Sequence, residues 1–484
     1  MTDAPSTRIP TGVAGLDEVL DGGLIPGRSY LVRGDPGTGK TILGMDYLTA
    51  GVDADETVLF VNLEEAESDI RQNAATLDID LSGVHFLDLS PDSDVFVDGQ
   101  SYDIFTPSEV EQEPLTRRIT ERIEETEPDR VFIDPLTKLR YLTSDDYQFR
   151  KQVISFMRYL KEQGATILLT SENTSRSPDD DLEYMTDGTI ELRRSTRGRT
   201  VQVQKFRGSA IHEGEHSLRI ESGGISVYPE LTPAGPGREF VDDPLPSGVD
   251  GLDELLHGGI ERGTVTMLSG PTGVGKTTAG TQFLKEAARR GERSVVYMFE
   301  ETRKTFVQRN ETIGVPIEEM ERRGNLSIEA VEPLDHSAME FAHLVREEVE
   351  ENDTSVVMID GVQGYKLSLH GDEATMVRKL HTLARHLKDM GVSVILVNEV
   401  ETVAGDFRAT DAGISYLADN IVFMRHLELA GELRKAVGVL KKRTGDFERT
   451  LREFRITTDG VAVGDPLDGL RGVLSGTPET IEER

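Results

Sequence analysis

Four short stretches of this sequence each occur twice, and in every pair the second copy lies 236 residues after the first. Thr11-Gly12-Val13-Ala14-Gly15-Leu16-Asp17 returns as Ser247-Gly248-Val249-Asp250-Gly251-Leu252-Asp253. Gly34 to Thr41 (GDPGTGKT) returns as Gly270 to Thr277 (GPTGVGKT), Glu64-Glu65 as Glu300-Glu301, and Lys205-Phe206-Arg207 as Lys441-Lys442-Arg443. In between, the register drifts and recovers: Asp134 matches Asp360, and Tyr184 to Arg193 matches Tyr416 to Arg425. One offset held across most of a chain means a tandem duplication of a unit of about 235 residues. Whatever the chain folds into, it folds into twice. The expected boundaries are a first domain over 1–228, a linker over 229–246, a second domain over 247–463 and a polar tail over 464–484. The linker, PELTPAGPGREFVDDPLP, is rich in Pro and Gly and breaks both periodicities.

Within each copy, short apolar runs alternate with Ala-, Leu- and Arg-rich helical stretches. Ser29 to Arg33, Thr57 to Leu63, Arg130 to Ile133 and Thr166 to Thr170 are nearly continuous in Val, Ile and Leu, as are Val265 to Ser269, Ser294 to Phe299, Ser355 to Ile359 and Ser393 to Val397. Strands covered on both faces read this way, so each copy is expected to be an α/β domain with a mostly parallel sheet. Gly188 to Leu192, Thr200 to Gln204 and Lys435 to Leu440 read as hairpin strands that extend the sheets.

The strongest chemical signal is Gly-x-x-x-x-Gly-Lys-Thr between a strand and a helix, present in both copies. Gly34, Asp35, Pro36, Gly37, Thr38, Gly39, Lys40 and Thr41 form the first such loop; Gly270, Pro271, Thr272, Gly273, Val274, Gly275, Lys276 and Thr277, followed by Thr278, form the second. The glycines let backbone N–H groups turn inward around phosphates, the lysine reaches the β- and γ-phosphates, and the threonine hydroxyl suits Mg²⁺. Asp134 and Asp360 each end an apolar strand, where a carboxylate holds a Mg²⁺-bound water. The expected cofactors are therefore ATP and Mg²⁺, with Thr41, Asp134, Thr277 and Asp360 at the metal. Glu64-Glu65 and Glu300-Glu301 close the strand after each loop's helix and are candidate bases for an attacking hydroxyl or water. His212 and His216 flank Gly214, which reads as a loop rather than a metal site.

The lead-in motifs, the glycine loops, the glutamate pairs, the strand-end aspartates and the Lys-x-Arg hairpins together resemble the KaiC family of tandem RecA-like ATPases and autokinases, which includes the circadian-clock protein and its archaeal relatives. The resemblance spans about Ile9 to Glu479. It implies a homohexamer with ATP between subunits, and that Lys205, Arg207, Lys441 and Arg443 touch the neighbouring subunit's nucleotide. It implies hydrolysis served by Glu64 and Glu65 in the first domain. In the second it implies phosphoryl transfer, with Glu300 as base, to a Ser-Thr pair. Here the pattern departs, because the stretch reads Asp411-Ala412-Gly413-Ile414-Ser415-Tyr416. Ser415 stands at the serine position, Tyr416 replaces the threonine, and Thr410 is a weaker acceptor. The family's longer partner-binding extension has no counterpart before Arg484, so a dedicated activator of the KaiA kind is not expected.

Charge narrows the partners. Asp and Glu number 87 against 53 Lys and Arg, a formal net charge of −34. Such a field repels phosphate polymers and anionic membranes. A RecA-like DNA-dependent recombinase or helicase stays open only through local patches such as Arg193 to Arg199. A non-catalytic, ATP-switched scaffold for a signalling or transcription-regulatory protein also stays open. There is no cysteine, which excludes disulfides and thiolate chemistry. No apolar run approaches the roughly 18 residues of a membrane span, and the N-terminal residues lack a signal-peptide core; the expected location is the cytoplasm. The acid excess, combined with scarce lysine, suits a cytosol of molar salt as in halophilic archaea, where the Debye length is about 3 Å. On that reading the melting temperature should rise between about 0.1 M and about 2 M KCl, measured by circular dichroism; a flat response would contradict it.

Overall fold

The computed structural model describes residues 8–90, 112–142, 146–172, 180–196, 198–232, 243–369, 373–400, 414–429, 431–458, 460–468, 470–471 and 479–480. The chain divides into two compact units, Met1–Glu230 and Leu231–Arg484.

Among the described residues the first unit holds nine strands: β1 (Ser29–Gly34), β2 (Val58–Asn62), β3 (His85–Asp88), β4 (Arg130–Asp134), β5 (Thr166–Ser171), β6 (Gly188–Ser195), β7 (Gly198–Phe206), β8 (His216–Glu221) and β9 (Gly224–Tyr228). They lie in the order β3-β2-β4-β5-β1-β6-β7-β8-β9. The first six positions are parallel, and β7, β8 and β9 are added by antiparallel pairing. The second unit repeats this with β10 (Val265–Gly270), β11 (Ser294–Met298), β12 (Leu326–Ala330), β13 (Val356–Asp360), β14 (Ser393–Glu399), β15 (Asn420–Leu429), β16 (Glu432–Lys442), β17 (Arg452–Thr457) and β18 (Gly460–Pro466), in the order β12-β11-β13-β14-β10-β15-β16-β17-β18. These are two tandem RecA-like P-loop domains, each a mostly parallel sheet flanked by helices. The central strands β2, β5, β10, β11 and β13 are buried along their whole length, which explains their unbroken apolar sequence. Strands β3, β8, β9, β12, β15, β17 and β18 go beyond the sequence expectation. β18 also takes in Gly464 to Pro466, at the start of the segment read as a tail.

Each sheet is sandwiched between two apolar layers. In the first unit one layer is formed with α1 (Ala14–Val19) and α2 (Lys40–Asp53), which follows the glycine loop. The other layer includes Phe149, Val153, Met157 and Leu160 of α3 (Asp146–Glu162). In the second unit the corresponding helices are α4 (Asp250–Leu255), α5 (Lys276–Arg289) and α6 (Glu373–Asp389). Leu231, inside the segment read as a linker, is buried in the second unit's core, and His386 Nδ1 lies 2.9 Å from the Thr232 carbonyl.

The repeated lead-in motif has a local cause. Thr11 Oγ1 and its backbone N–H both donate to Asp17 Oδ1 at 2.8 Å, and Ser247 does the same to Asp253 at 2.7 Å. The hydroxyl at one end and the carboxylate at the other close the turn that starts α1 and α4. Gly15 lets α1 approach β9: a Cβ there would lie 1.9 Å from the Val227 carbonyl oxygen. In the first unit a fully buried Arg130 ties the lead-in to the sheet. Its guanidinium donates to the carbonyls of Pro10 (2.7 Å) and Tyr47 (3.0 Å) and pairs with Glu56.

Asp46, on α2, is buried and accepts the Ile225 backbone N–H at 2.9 Å. Gly224, at φ +121°, makes the room: a Cβ would meet the carboxylate at 2.1 Å. Burial pushes the Asp46 carboxyl up to about 7. Because the folded value exceeds the unfolded one, its stabilising contribution is complete below about pH 4 and is lost as pH rises through about 7, a swing of roughly 4 kcal/mol. Asp46→Asn should remove that swing. Urea unfolding from about pH 5 to about pH 8 should show the variant gaining on the wild type; parallel curves would refute the assignment.

Candidate functional site

In both units the glycine loop joins the end of a central strand to the start of a buried helix. Gly39 and Gly275 precede the helices in left-handed conformations, at φ +107° and +111°, which favour glycine. The lysine of each loop curls back onto it. Lys40 Nζ donates to the carbonyls of Gly34 (2.7 Å) and Asp35 (3.2 Å), and Lys276 Nζ to those of Gly270 (2.8 Å) and Pro271 (3.0 Å). Burial lowers the pKa of both lysines, opposed by carboxylates around them: Asp134, Glu172, Asp35 and Glu64 for Lys40, and Glu399, Glu300 and Asp360 for Lys276.

The threonine after each lysine meets the strand-end aspartate. Thr41 Oγ1 donates to Asp134 Oδ2 at 2.6 Å, and Thr277 Oγ1 to Asp360 Oδ1 at 2.9 Å. Asp134 is also hydrogen-bonded by Thr170. Burial raises both carboxyls, Asp360 to about 6. Each pair puts one hydroxyl and one carboxylate beside the phosphate loop, a hard oxygen set suited to Mg²⁺ that shares its other positions with phosphate and water. Among the described residues no cluster of three His, Cys, Asp or Glu side chains is arranged to hold a metal alone. His216 is buried in β8, and its Nδ1 accepts the Glu230 N–H at 3.0 Å.

The glutamate pairs sit next to these centres, and the two units treat them differently. Glu64 forms a 2.9 Å ion pair with Lys138, while Glu65 accepts a 3.3 Å hydrogen bond from Asn73. In the second unit Glu300 accepts the Gly364 backbone N–H at 3.2 Å, and Glu301 lies 2.8 Å from Arg309. That last contact is an ion pair by distance without hydrogen-bond angles. Gly361, at φ +104°, and Gly364 make space for Glu300: a Cβ would come within 2.8 Å and 3.0 Å of its side chain.

The Lys-x-Arg residues are engaged within their own chain. Lys205 Nζ donates to the carbonyls of Glu183 (2.6 Å) and Thr186 (2.7 Å). Lys441 Nζ donates to Ala418 (2.5 Å) and Ser415 (3.3 Å), and Arg443 to Asp419 (3.3 Å) and to the Tyr416 carbonyl (3.4 Å). The backbone N–H of Arg207 donates to the Asp187 carbonyl at 2.9 Å. Ser415 is exposed on the turn over 414–417, and the Tyr416 ring packs edge-on against His381. Thr410 lies outside the described residues.

Sequence reasoning missed several residues here. Glu172 and Glu399, just after β5 and at the end of β14, act on the loop lysines. Arg199 and Lys435, 236 residues apart, reach the carbonyls of Gly37 (3.5 Å) and Gly273 (2.9 Å). The repeat offset alone marks that second pair. Arg193, in the basic run suggested for DNA, is instead paired with Glu191 and Glu215.

Two P-loops, each facing a Thr–Asp pair at the carboxyl edge of a parallel sheet, define a tandem nucleotide-binding ATPase. Residues 9–232 and 245–468 both match the family model described as "ATPase: KaiC", and the chain belongs to that family. It is 29% identical to the "Circadian clock oscillator protein KaiC" of Prochlorococcus marinus strain SARG, over 98% of this chain and 95% of that protein. It is 28% identical to the proteins of that name from Prochlorococcus marinus strain MIT 9313 (98% and 96% covered) and Parasynechococcus marenigrum (99% and 94%).

Removing the hydroxyl should cost more in the second unit. Thr277 donates the one hydrogen bond that the Asp360 carboxylate accepts among the described residues, whereas Thr170 still serves Asp134. Thr277→Ala should lose about 1–3 kcal/mol in urea unfolding of the nucleotide-free protein, and Thr41→Ala less.

Proposed function

We propose that the chain is a Mg²⁺-dependent ATPase with serine autokinase activity in its second domain, working as a homohexameric signalling or timing switch of the KaiC kind. The observation that carries the reading is the duplicated Thr–Asp pair beside each phosphate loop, with a glutamate adjacent to both. Thr41 with Asp134, and Thr277 with Asp360, are the residues that would hold the ion. Mg²⁺ supplies neutralisation of the charge that spreads over the γ-phosphoryl oxygens. Lys40 and Lys276 bring positive charge to the same groups. Glu64 or Glu65 takes the proton of an attacking water in the first domain. Glu300 takes the proton of a hydroxyl in the second, and the exposed Ser415 is the acceptor. Lys205, Arg207, Lys441 and Arg443 serve the neighbouring subunit's nucleotide, which requires their present contacts to rearrange on assembly. The acidic surface argues against nucleic acid and anionic membranes as partners, and among the described residues no helix is long and apolar enough to cross a membrane.

The test is incubation of the full chain with γ-labelled ATP and Mg²⁺ in molar KCl, with Lys276→Ala as control. Label on Ser415 that vanishes in the control is the expected result. Free phosphate without protein label would leave an ATPase and remove the kinase. ATP-dependent partner capture with no turnover would favour the scaffold, and turnover stimulated by single-stranded DNA would favour the recombinase class.

A further inference from the structure

The two strand-end aspartates are held by different numbers of hydroxyl groups. Asp134 accepts two, from Thr41 on Oδ2 at 2.6 Å and from Thr170, near the end of β5, on Oδ1. Asp360 accepts one, from Thr277 on Oδ1, and among the described residues nothing donates to its Oδ2. The sheet register shows where the difference arises. Val32 on β1 pairs with Thr170, and Leu268 on β10, 236 residues later, pairs with Val397. Val397 is also the register partner of Asp360 on β13. Thr170 and Val397 therefore hold one position of the repeat. Both are buried, at 0% and 3% exposure, and the residues before Thr170 are Ile167, Leu168 and Leu169. Packing alone is served by a valine there, as the second unit shows. A buried hydroxyl costs free energy unless it is bonded, and the one hydrogen bond that the Thr170 hydroxyl makes among the described residues is to Asp134.

We infer that Thr170 is a positioning residue of the first metal site, and that the exchange of Thr170 for Val397 makes the first site hold Mg²⁺ more tightly than the second. The inference rests on each glycine loop taking a nucleotide with Mg²⁺, and deepens that reading by ranking the two sites and naming the group responsible. The terminal torsion of an aspartate is broad. A donor on each oxygen fixes the carboxylate plane of Asp134, whereas a donor on one oxygen leaves that of Asp360 free to turn. A carboxylate offers about four lone-pair positions and a hydroxyl two, so these hydrogen bonds do not close Asp134 or Thr41 to an ion. Thr170 supplies in advance the orientation that the second site must supply when the ion arrives. Partners behind a metal ligand that fix its orientation are worth roughly 10–100-fold in metal affinity. Other neighbours differ between the two sites, among them Arg309 on Glu301, so the test changes the hydroxyl alone.

Calorimetry of ADP binding tests this without turnover. The full chain carrying Lys276→Ala reports the first loop, and the full chain carrying Lys40→Ala the second. For each, ADP affinity is measured across a Mg²⁺ titration and again in EDTA. The first loop should reach half of its Mg²⁺-dependent gain at a concentration roughly 10-fold below that of the second. Thr170→Val should raise the first loop's requirement roughly 10-fold and Val397→Thr should lower the second's, while ADP affinity in EDTA stays within about 2-fold. The Val397→Thr arm keeps the inference testable if Thr170→Val loosens the fold. An effect of equal size in Mg²⁺ and in EDTA would mark Thr170 as packing and overturn the inference, as would an unchanged Mg²⁺ requirement in both variants; either leaves the ATPase assignment intact. Parent chains whose ADP affinity ignores Mg²⁺ would instead remove the Mg²⁺-dependent reading, and this inference with it.

Discussion

The hydrogen bond between the threonine of each glycine loop and the aspartate two strands away is the contact on which the site geometry turns. Thr41 lies in the first turn of α2, beyond the glycine loop that follows β1, and Asp134 ends β4, with β5 lying between those strands. The bond spans a strand, so it forms only if the sheet order, the strand lengths and the helix start are all correct. Thr277 and Asp360 repeat the arrangement. Its cost is two desolvated carboxyls, both pushed toward the neutral form by burial. That is an arrangement a stability-optimised fold would avoid, and one that a bound cation relieves.

Much of this was legible in the sequence because the chain states it twice. The common offset showed that the glycine loops, the glutamate pairs and the Lys-x-Arg segments belong to one design, and the fully buried strands announced themselves through uninterrupted Val, Ile and Leu. The edge strands escaped for a physical reason. His85–Asp88 and Leu326–Ala330 each cover only part of the sheet and are partly exposed, so their pattern is mixed. The return strands from His216 and from Arg452 likewise alternate irregularly in burial.

The candidate site was read only in part. Its backbone loops carry a fixed spacing, and spacing survives in a sequence. Lys138 and Glu64 do not: they are brought together by β4 lying beside β2, and no fixed spacing links them. Glu172 and Glu399 were hidden by the drift in repeat register between the glutamate pairs and the final hairpins. Lys205 and Lys441 were found by recurrence, but recurrence did not show that each first serves its own turn, donating to the carbonyls of Glu183 and Thr186 and to those of Ser415 and Ala418.

Arg130 gives the first unit a mechanical property that its register partner in the second cannot supply. Its guanidinium grips the Pro10 carbonyl at one side and α2 at the other, from the root of β4; the second sheet has Val356 at that register position. Tension applied to the chain ahead of Pro10 therefore loads the base of the strand whose far end carries Asp134, and the helix that carries Thr41. In the second unit Val356 stands at the matching root, and the lead-in is held elsewhere: Arg262 donates to the Asp243 carbonyl at 3.0 Å, and Arg290, at the end of α5, pairs with the Asp243 side chain at 3.0 Å. The two copies therefore anchor their lead-ins through different guanidiniums, at the strand root in the first and ahead of the lead-in turn in the second.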